Sequence, residues 1–172
     1  MISNQTTGAS AAFTATNAWT SPSVSLGQGV NHLCVSGTNI FGFSDSEWVT
    51  ITRLGPSGST NYVTPSGAHI WPYTTWATAA TNVQSAIEAA ASGNSVLLSN
   101  ETYFIDSPIL ISKGITLRGV ADRSSTVLDA CGSNRCMYVS ASDAVVKGLT
   151  LRNGVADEGA GVYLHGGGTI DD

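Results

Sequence analysis

Hydrophobic and polar positions alternate along the first part of this chain. In 30–36 and 47–53, every second residue falls on the same face, with Leu33 and Val35 together on one of them. This spacing is typical of β-strands buried on one side. Gly, Asn and Ser separate these runs, as in closely spaced turns. The pattern predicts three or four short strands, part of a β-sandwich.

One stretch near the middle has helical spacing. Its apolar residues recur at i, i+3, i+4 and i+7, at Val83, Ala86, Ile87 and Ala90. This stripe predicts an amphipathic helix over about 81–91. Thr81 is the predicted N-cap, and Gly93 stands where a glycine commonly follows a helix.

Short apolar runs recur after the helix with a regular period. Runs starting at 109, 137 and 162 resemble one another, with spacings of 28 and 25 residues. A second echo relates 114–119 to 148–153 and aligns Arg118 with Arg152. Coils of this size, with three short strands each, stack into a parallel β-helix. The sequence predicts two to three such coils.

Composition excludes several classes of protein. Charged residues make up 11% of the 172 residues, against about 25% in ordinary globular proteins. Highly charged disorder and coiled coils are excluded on this ground. The net charge of −5 argues against nucleic-acid binding. The chain has no apolar stretch long enough to predict a membrane span.

Charge density rises across a turn-rich stretch. Residues 1–75 hold only three charged side chains, Asp45, Glu47 and Arg53, and the remaining charged residues follow. We therefore predict a partial β-sandwich over 1–54, a linker over 55–75 and the β-helix over 76–172, beginning with its capping helix.

The first region resembles the C-terminal strands of bacterial Ig-like modules. The resemblance lies in Trp19 and in the segments 24–26, 29–35, 42–44 and 49–53, which follow the pattern G-x-N-x-hydrophobic-x-V, then G, then V-x-I. It covers about 45 residues and implies an Ig-like β-sandwich.

The second region resembles the start of right-handed parallel β-helix domains of the pectin-lyase-like superfamily. An amphipathic helix precedes 93–98 and Thr102-Tyr103, with Asn94 where Asp is usual and Glu101 where Gly is usual. The resemblance implies that the helix caps the solenoid. It leaves function open, since the superfamily includes lyases, hydrolases, tailspikes and surface proteins. We expect no cofactor; only the resemblance admits Ca²⁺.

Cys131 and Cys136 bracket a short loop. They form either a disulfide, which fits an oxidising compartment, or two free thiols at the edge of a core. One cysteine pair without a matching second pair is not a zinc pattern, so we predict no metal site.

Two tyrosines are the candidate binding residues. If the coils stack as aligned, Met137, Val139, Val162 and Leu164 point inward. Tyr138 and Tyr163 then point outward on successive coils, with Leu110 at the matching place below them. Such a strip could hold sugar rings, or it could lie covered beneath a loop or the neighbouring domain.

No catalytic residues are predicted. Asp157 and Glu158 fit a solvated turn, Arg118 and Arg152 fit an exposed polar ladder, and His32, His69 and His165 share no spacing. We expect part of an exported bacterial surface protein, extracellular or at the cell surface, acting as a non-enzymatic adhesion or glycan-binding module. The alternatives are a polysaccharide lyase or glycoside hydrolase whose catalytic coils lie downstream, and a purely structural stalk.

Overall fold

The computed structural model describes residues 1–12, 23–27, 29–53 and 59–171. The chain forms two compact units, Met1–Leu54 and Gly55–Asp172.

The first unit contains one antiparallel sheet among its described residues. Its strands are β1 (Ile2–Asn4), β2 (Ser10–Ala11), β3 (Gly29–Thr38) and β4 (Ser44–Arg53), in the order β2-β1-β3-β4. The strands predicted at 30–36 and 47–53 lie within β3 and β4. The segment 24–26 of the Ig-like pattern belongs to no strand, although the Ser25 carbonyl accepts from Asn4 Nδ2 at 3.0 Å. Trp19 lies outside the described residues, and the Ig-like sandwich stays a prediction.

A buried pair of asparagines links β1 to β3. Asn4 Nδ2 donates to Asn31 Oδ1 at 2.8 Å, and Asn31 Nδ2 donates to the carbonyl oxygens of Gly27 and Gly29. Both side chains are fully buried, so these bonds satisfy amides that would otherwise destabilise the fold. The Asn of the Ig-like pattern thus holds a loop against the sheet.

The second unit is a β-solenoid of about three turns. Parallel strands stack into three sheets, so each coil contributes one strand to each sheet, and one short helix lies at the start. Before the first coil come β5 (Thr60–Val63) and α1 (Val83–Ala89). The first coil comprises β6 (Ser95–Leu98), β7 (Thr102–Phe104) and β8 (Ile109–Ile111), and the second comprises β9 (Thr116–Gly119), β10 (Val127–Asp129) and β11 (Met137–Val139). The third comprises β12 (Val145–Lys147), β13 (Thr150–Arg152) and β14 (Val162–Leu164), and β15 (Thr169–Asp171) follows it.

The core is a set of inward columns that run from coil to coil. The first sheet of the solenoid consists of β5, β6, β9, β12 and β15. In this sheet Val96, Leu117 and Val146 are in register, and all three are buried. A single coil could not bury these side chains alone, so stacking supplies the hydrophobic stabilisation. This confirms the prediction of stacked parallel coils.

Part of the predicted linker belongs to the solenoid. β5 pairs in parallel with β6, and Val63 and Tyr73 are buried in the core. Asn94 Nδ2 donates to Asn61 Oδ1 at 3.0 Å, and Asn61 Nδ2 donates to the Pro72 carbonyl at 2.7 Å. An Asn at position 94 therefore supplies a donor that an Asp carboxylate at this position would lack.

The helix is shorter than predicted. Asn82, not Thr81, is the N-cap, and its side chain accepts from Ser85 N at 2.9 Å. Thr81 instead contacts His69 Nδ1 through its backbone N–H and its hydroxyl. The helix packs against β5, β6 and β8, burying Val83, Ala86, Ile87 and Ala89.

Candidate functional site

The register of β11 and β14 brings two tyrosines together. Tyr138 and Tyr163 face each other in the parallel pair, and Leu110 is the partner of Tyr138 on β8. The neighbours Met137 and Val139 are buried, whereas both tyrosines are only half-buried. Leu164 is 45% exposed, because β14 is the last strand of its sheet among the described residues.

The tyrosine rings stack and a histidine joins them. The centroids of Tyr138 and Tyr163 are 5.6 Å apart with an angle of 19° between the ring planes. The His165 ring lies 5.7 Å from Tyr138 and 6.3 Å from Tyr163, also nearly parallel. These separations are within the range of favourable aromatic contacts. We call Tyr138, Tyr163 and His165 the aromatic cluster.

Arg135 places a positive charge on this cluster. Its guanidinium carbon lies 4.7 Å from the centroid of the Tyr163 ring, a cation–π contact. Arg135 Nε donates to the Gly159 carbonyl at 3.1 Å and Nη2 to the Glu158 carbonyl at 2.7 Å. The side chain therefore ties the cluster to the loop that precedes β14.

A surface depression opens beside the cluster. It has a volume of about 620 Å³ and is lined by Arg135, Ala156, Asp157, Glu158 and Tyr163. An aromatic ring, a guanidinium group and two carboxylates thus border one concave surface. The sequence pairs the two tyrosines, but it does not indicate that the 156–158 loop and Arg135 reach Tyr163. His165 could have been found, since it follows Tyr163 by two residues, and alternate strand residues share a face.

A second cavity lies at the helix end of the solenoid. It measures about 430 Å³, and its lining includes Phe104, Asp106, Thr81 and Gln84. Phe104 is 72% exposed and belongs to a different sheet from the aromatic cluster. It therefore provides an aromatic control at a separate place.

Arg118 and Arg152 do not stack, contrary to their alignment in the sequence. Arg118 lies opposite Lys147 in the first sheet, and Arg152 lies opposite Asp129 in another. Asp129 accepts from Asn153 Nδ2, Cys131 N and Arg152 Nε. Those bonds, that from Asn153 foremost, hold the pKa of the Asp129 carboxyl below its usual range.

The cysteines are free thiols in this structure, the second of the two alternatives left by the sequence. Cys136 is buried and Cys131 is exposed, and burial raises the pKa of the Cys136 thiol. Among the described residues, no three His, Cys, Asp or Glu side chains gather as metal ligands would. The described part of the chain also contains no helix with the length and apolarity that membrane crossing requires.

Searches against protein-family models, curated proteins and solved structures gave no match to this chain.

Proposed function

We propose that the second unit is a glycan-binding module of an exported bacterial surface protein, built on a right-handed β-helix of the pectin-lyase-like kind. The observation that carries this proposal is the aromatic cluster beside a charged depression on the outside of the solenoid. Binding without cleavage is the proposed activity.

The chemistry of the surface suits a sugar. Sugar rings present C–H groups on their faces and hydroxyl groups at their edges. Aromatic side chains such as Tyr163 pack against apolar faces. Asp157 and Glu158 accept hydrogen bonds, and the Arg135 guanidinium donates them. All four side chains border the same depression.

The coil stack also suits a linear polymer. Neighbouring strands lie about 4.8 Å apart, so outward side chains on successive coils form a continuous track. Leu110, Tyr138 and Tyr163 form such a track over three coils. A polysaccharide lying along the solenoid would contact more than one coil.

The test is binding of the 172-residue chain to immobilised oligosaccharides of the cello, chito, xylo, manno and galacturonate series. Tyr138→Ala and Tyr163→Ala should each weaken binding about tenfold, corresponding to about 1.4 kcal/mol of lost contact. Phe104→Ala is the matched control, because it removes an exposed aromatic side chain from a different sheet, outside the aromatic cluster. Circular dichroism should be the same for all variants.

Three outcomes would contradict the proposal. Loss of binding in Phe104→Ala alone would move the site to the second cavity. Failure of the unaltered chain to bind any series would favour the structural stalk. Release of new reducing ends or unsaturated products from a bound oligosaccharide would favour the alternative of a hydrolase or lyase.

A further inference from the structure

Strand β4 lies at one edge of the sheet that the described residues of the first unit form. Among the described residues it pairs only with β3, and all ten of its residues are exposed. Trp48 is 61% exposed and Val49 is 48% exposed. A long exposed edge with apolar side chains is a template for another strand.

The charges on β4 are arranged in a way that can be self-complementary. Residues 1–75 contain only Asp45, Glu47 and Arg53 as charged side chains, and all three lie on this strand. The acids lie in its first half and the arginine at its end. Two copies in antiparallel pairing around Thr50 would place Glu47 of each opposite Arg53 of the other. A two-fold axis would produce this ion pair twice.

Antiparallel pairing around Thr50 also places chemically compatible uncharged side chains of the two copies opposite each other. Residues whose numbers sum to the same value face each other in an antiparallel pair. Pairing around Thr50 therefore sets Trp48 opposite Thr52 and Val49 opposite Ile51, keeping aliphatic side chains together. Parallel pairing in register would instead set Glu47 opposite Glu47, which is repulsive. Arg53 Nη1 donates to the Leu26 carbonyl, and the rest of the guanidinium fork retains donors for a carboxylate.

We propose that β4 is a self-association surface, at which two copies of this chain pair edge to edge around Thr50. The sheet then continues across the two-fold axis from one copy to the other. The hydrogen bonds of the new ladder and the Glu47–Arg53 pairs would set its register.

The test is sedimentation equilibrium of the whole 172-residue chain and its charge variants. The unaltered chain should form a dimer. Glu47→Arg and Arg53→Glu should each raise the dimer dissociation constant at least about tenfold, because each replaces two attractive pairs with two repulsive ones. The double variant Glu47→Arg/Arg53→Glu should restore the dimer, which a folding defect could not produce.

Asp45→Arg is the matched control, since it makes the same change of charge on the same strand outside the proposed pairs. It should leave the dimer intact. The proposal is overturned if the unaltered chain is a monomer, or if the double variant does not recover. It is also overturned if Asp45→Arg dissociates the dimer while Glu47→Arg does not, or if only Phe41→Ser at the exposed hairpin tip dissociates it.

Discussion

Arg152 Nε donates a 2.7 Å hydrogen bond to the Asp129 carboxylate, joining facing positions on two adjacent coils. The same carboxylate accepts from Asn153 Nδ2 and from Cys131 N. Its side chain is 7% exposed, whereas that of Arg152 is 49% exposed. A buried carboxylate that accepts from three donors stabilises the turn after β10 in one conformation.

Asp129→Asn should make the second unit less stable at neutral pH and flatten its acid dependence. The folded-state pKa of Asp129 lies below its unfolded value of about 3.9. Its contribution is therefore present above that value and is lost as the pH falls through the folded-state pKa. Urea unfolding at about pH 7 and about pH 3 should show a difference between the variant and the unaltered chain that shrinks in acid.

Asp157→Asn is the control for that measurement, because it removes an exposed carboxylate, whereas the Asp129 carboxylate is held by three donors. It should leave the pH dependence unchanged. An equal stability loss by Asp129→Asn at both pH values would argue against ion-pair stabilisation.

Lys113→Met should destabilise the second unit through the end of α1. The ammonium group donates to the carbonyl oxygens of Ile87, Glu88 and Ala90 at 3.2, 2.8 and 2.8 Å, all at the C-terminal end of α1, where a lysine can bond the last carbonyls. Losing these bonds should cost roughly 1 to 3 kcal/mol in the free energy of unfolding. Lys147→Met removes the same charge without these bonds, and its unfolding midpoint in urea should stay near that of the unaltered chain.

Gly119→Ala should destabilise the solenoid by overpacking. A Cβ at this position would lie 2.5 Å from the Gly148 carbonyl oxygen and 2.8 Å from Thr126 Oγ1. Relieving such contacts should cost about 1 to 3 kcal/mol. At Gly161 an added Cβ meets no atom within 4 Å, so Gly161→Ala should be neutral or slightly stabilising. Equal thermal unfolding temperatures for the two variants would contradict the packing around Gly119.

The repeat in the sequence predicted one sheet correctly and misaligned another. The echo starting at 109, 137 and 162 became β8, β11 and β14, stacked in register. The echo between 114–119 and 148–153 joined β9 to β13, which belong to different sheets. The alternation of polar and apolar residues in Thr-Leu-Arg indicates that the Leu points inward. The same alternation occurs in the strands of every sheet. The triplet therefore cannot say which sheet it enters.

Strand β5 was missed because one of its inward positions is polar. Asn61 is fully buried and satisfied by Asn94 and Pro72, so apolar alternation is interrupted there. The partners of Tyr163 were missed for another reason. Arg135 contacts the ring, and Glu158 borders the same depression, from loops whose paths are not encoded by a period of 2 or 3.6 residues.

The most direct measurement of the proposed glycan surface is an NMR titration that follows the aromatic ring protons. The ligand is the oligosaccharide that binds most tightly in the panel. We predict that the ring resonances of Tyr138, Tyr163 and His165 shift together with one dissociation constant, while those of Phe104 stay in place. Unmoved resonances in the aromatic cluster, or shifts confined to Phe104, would contradict the account.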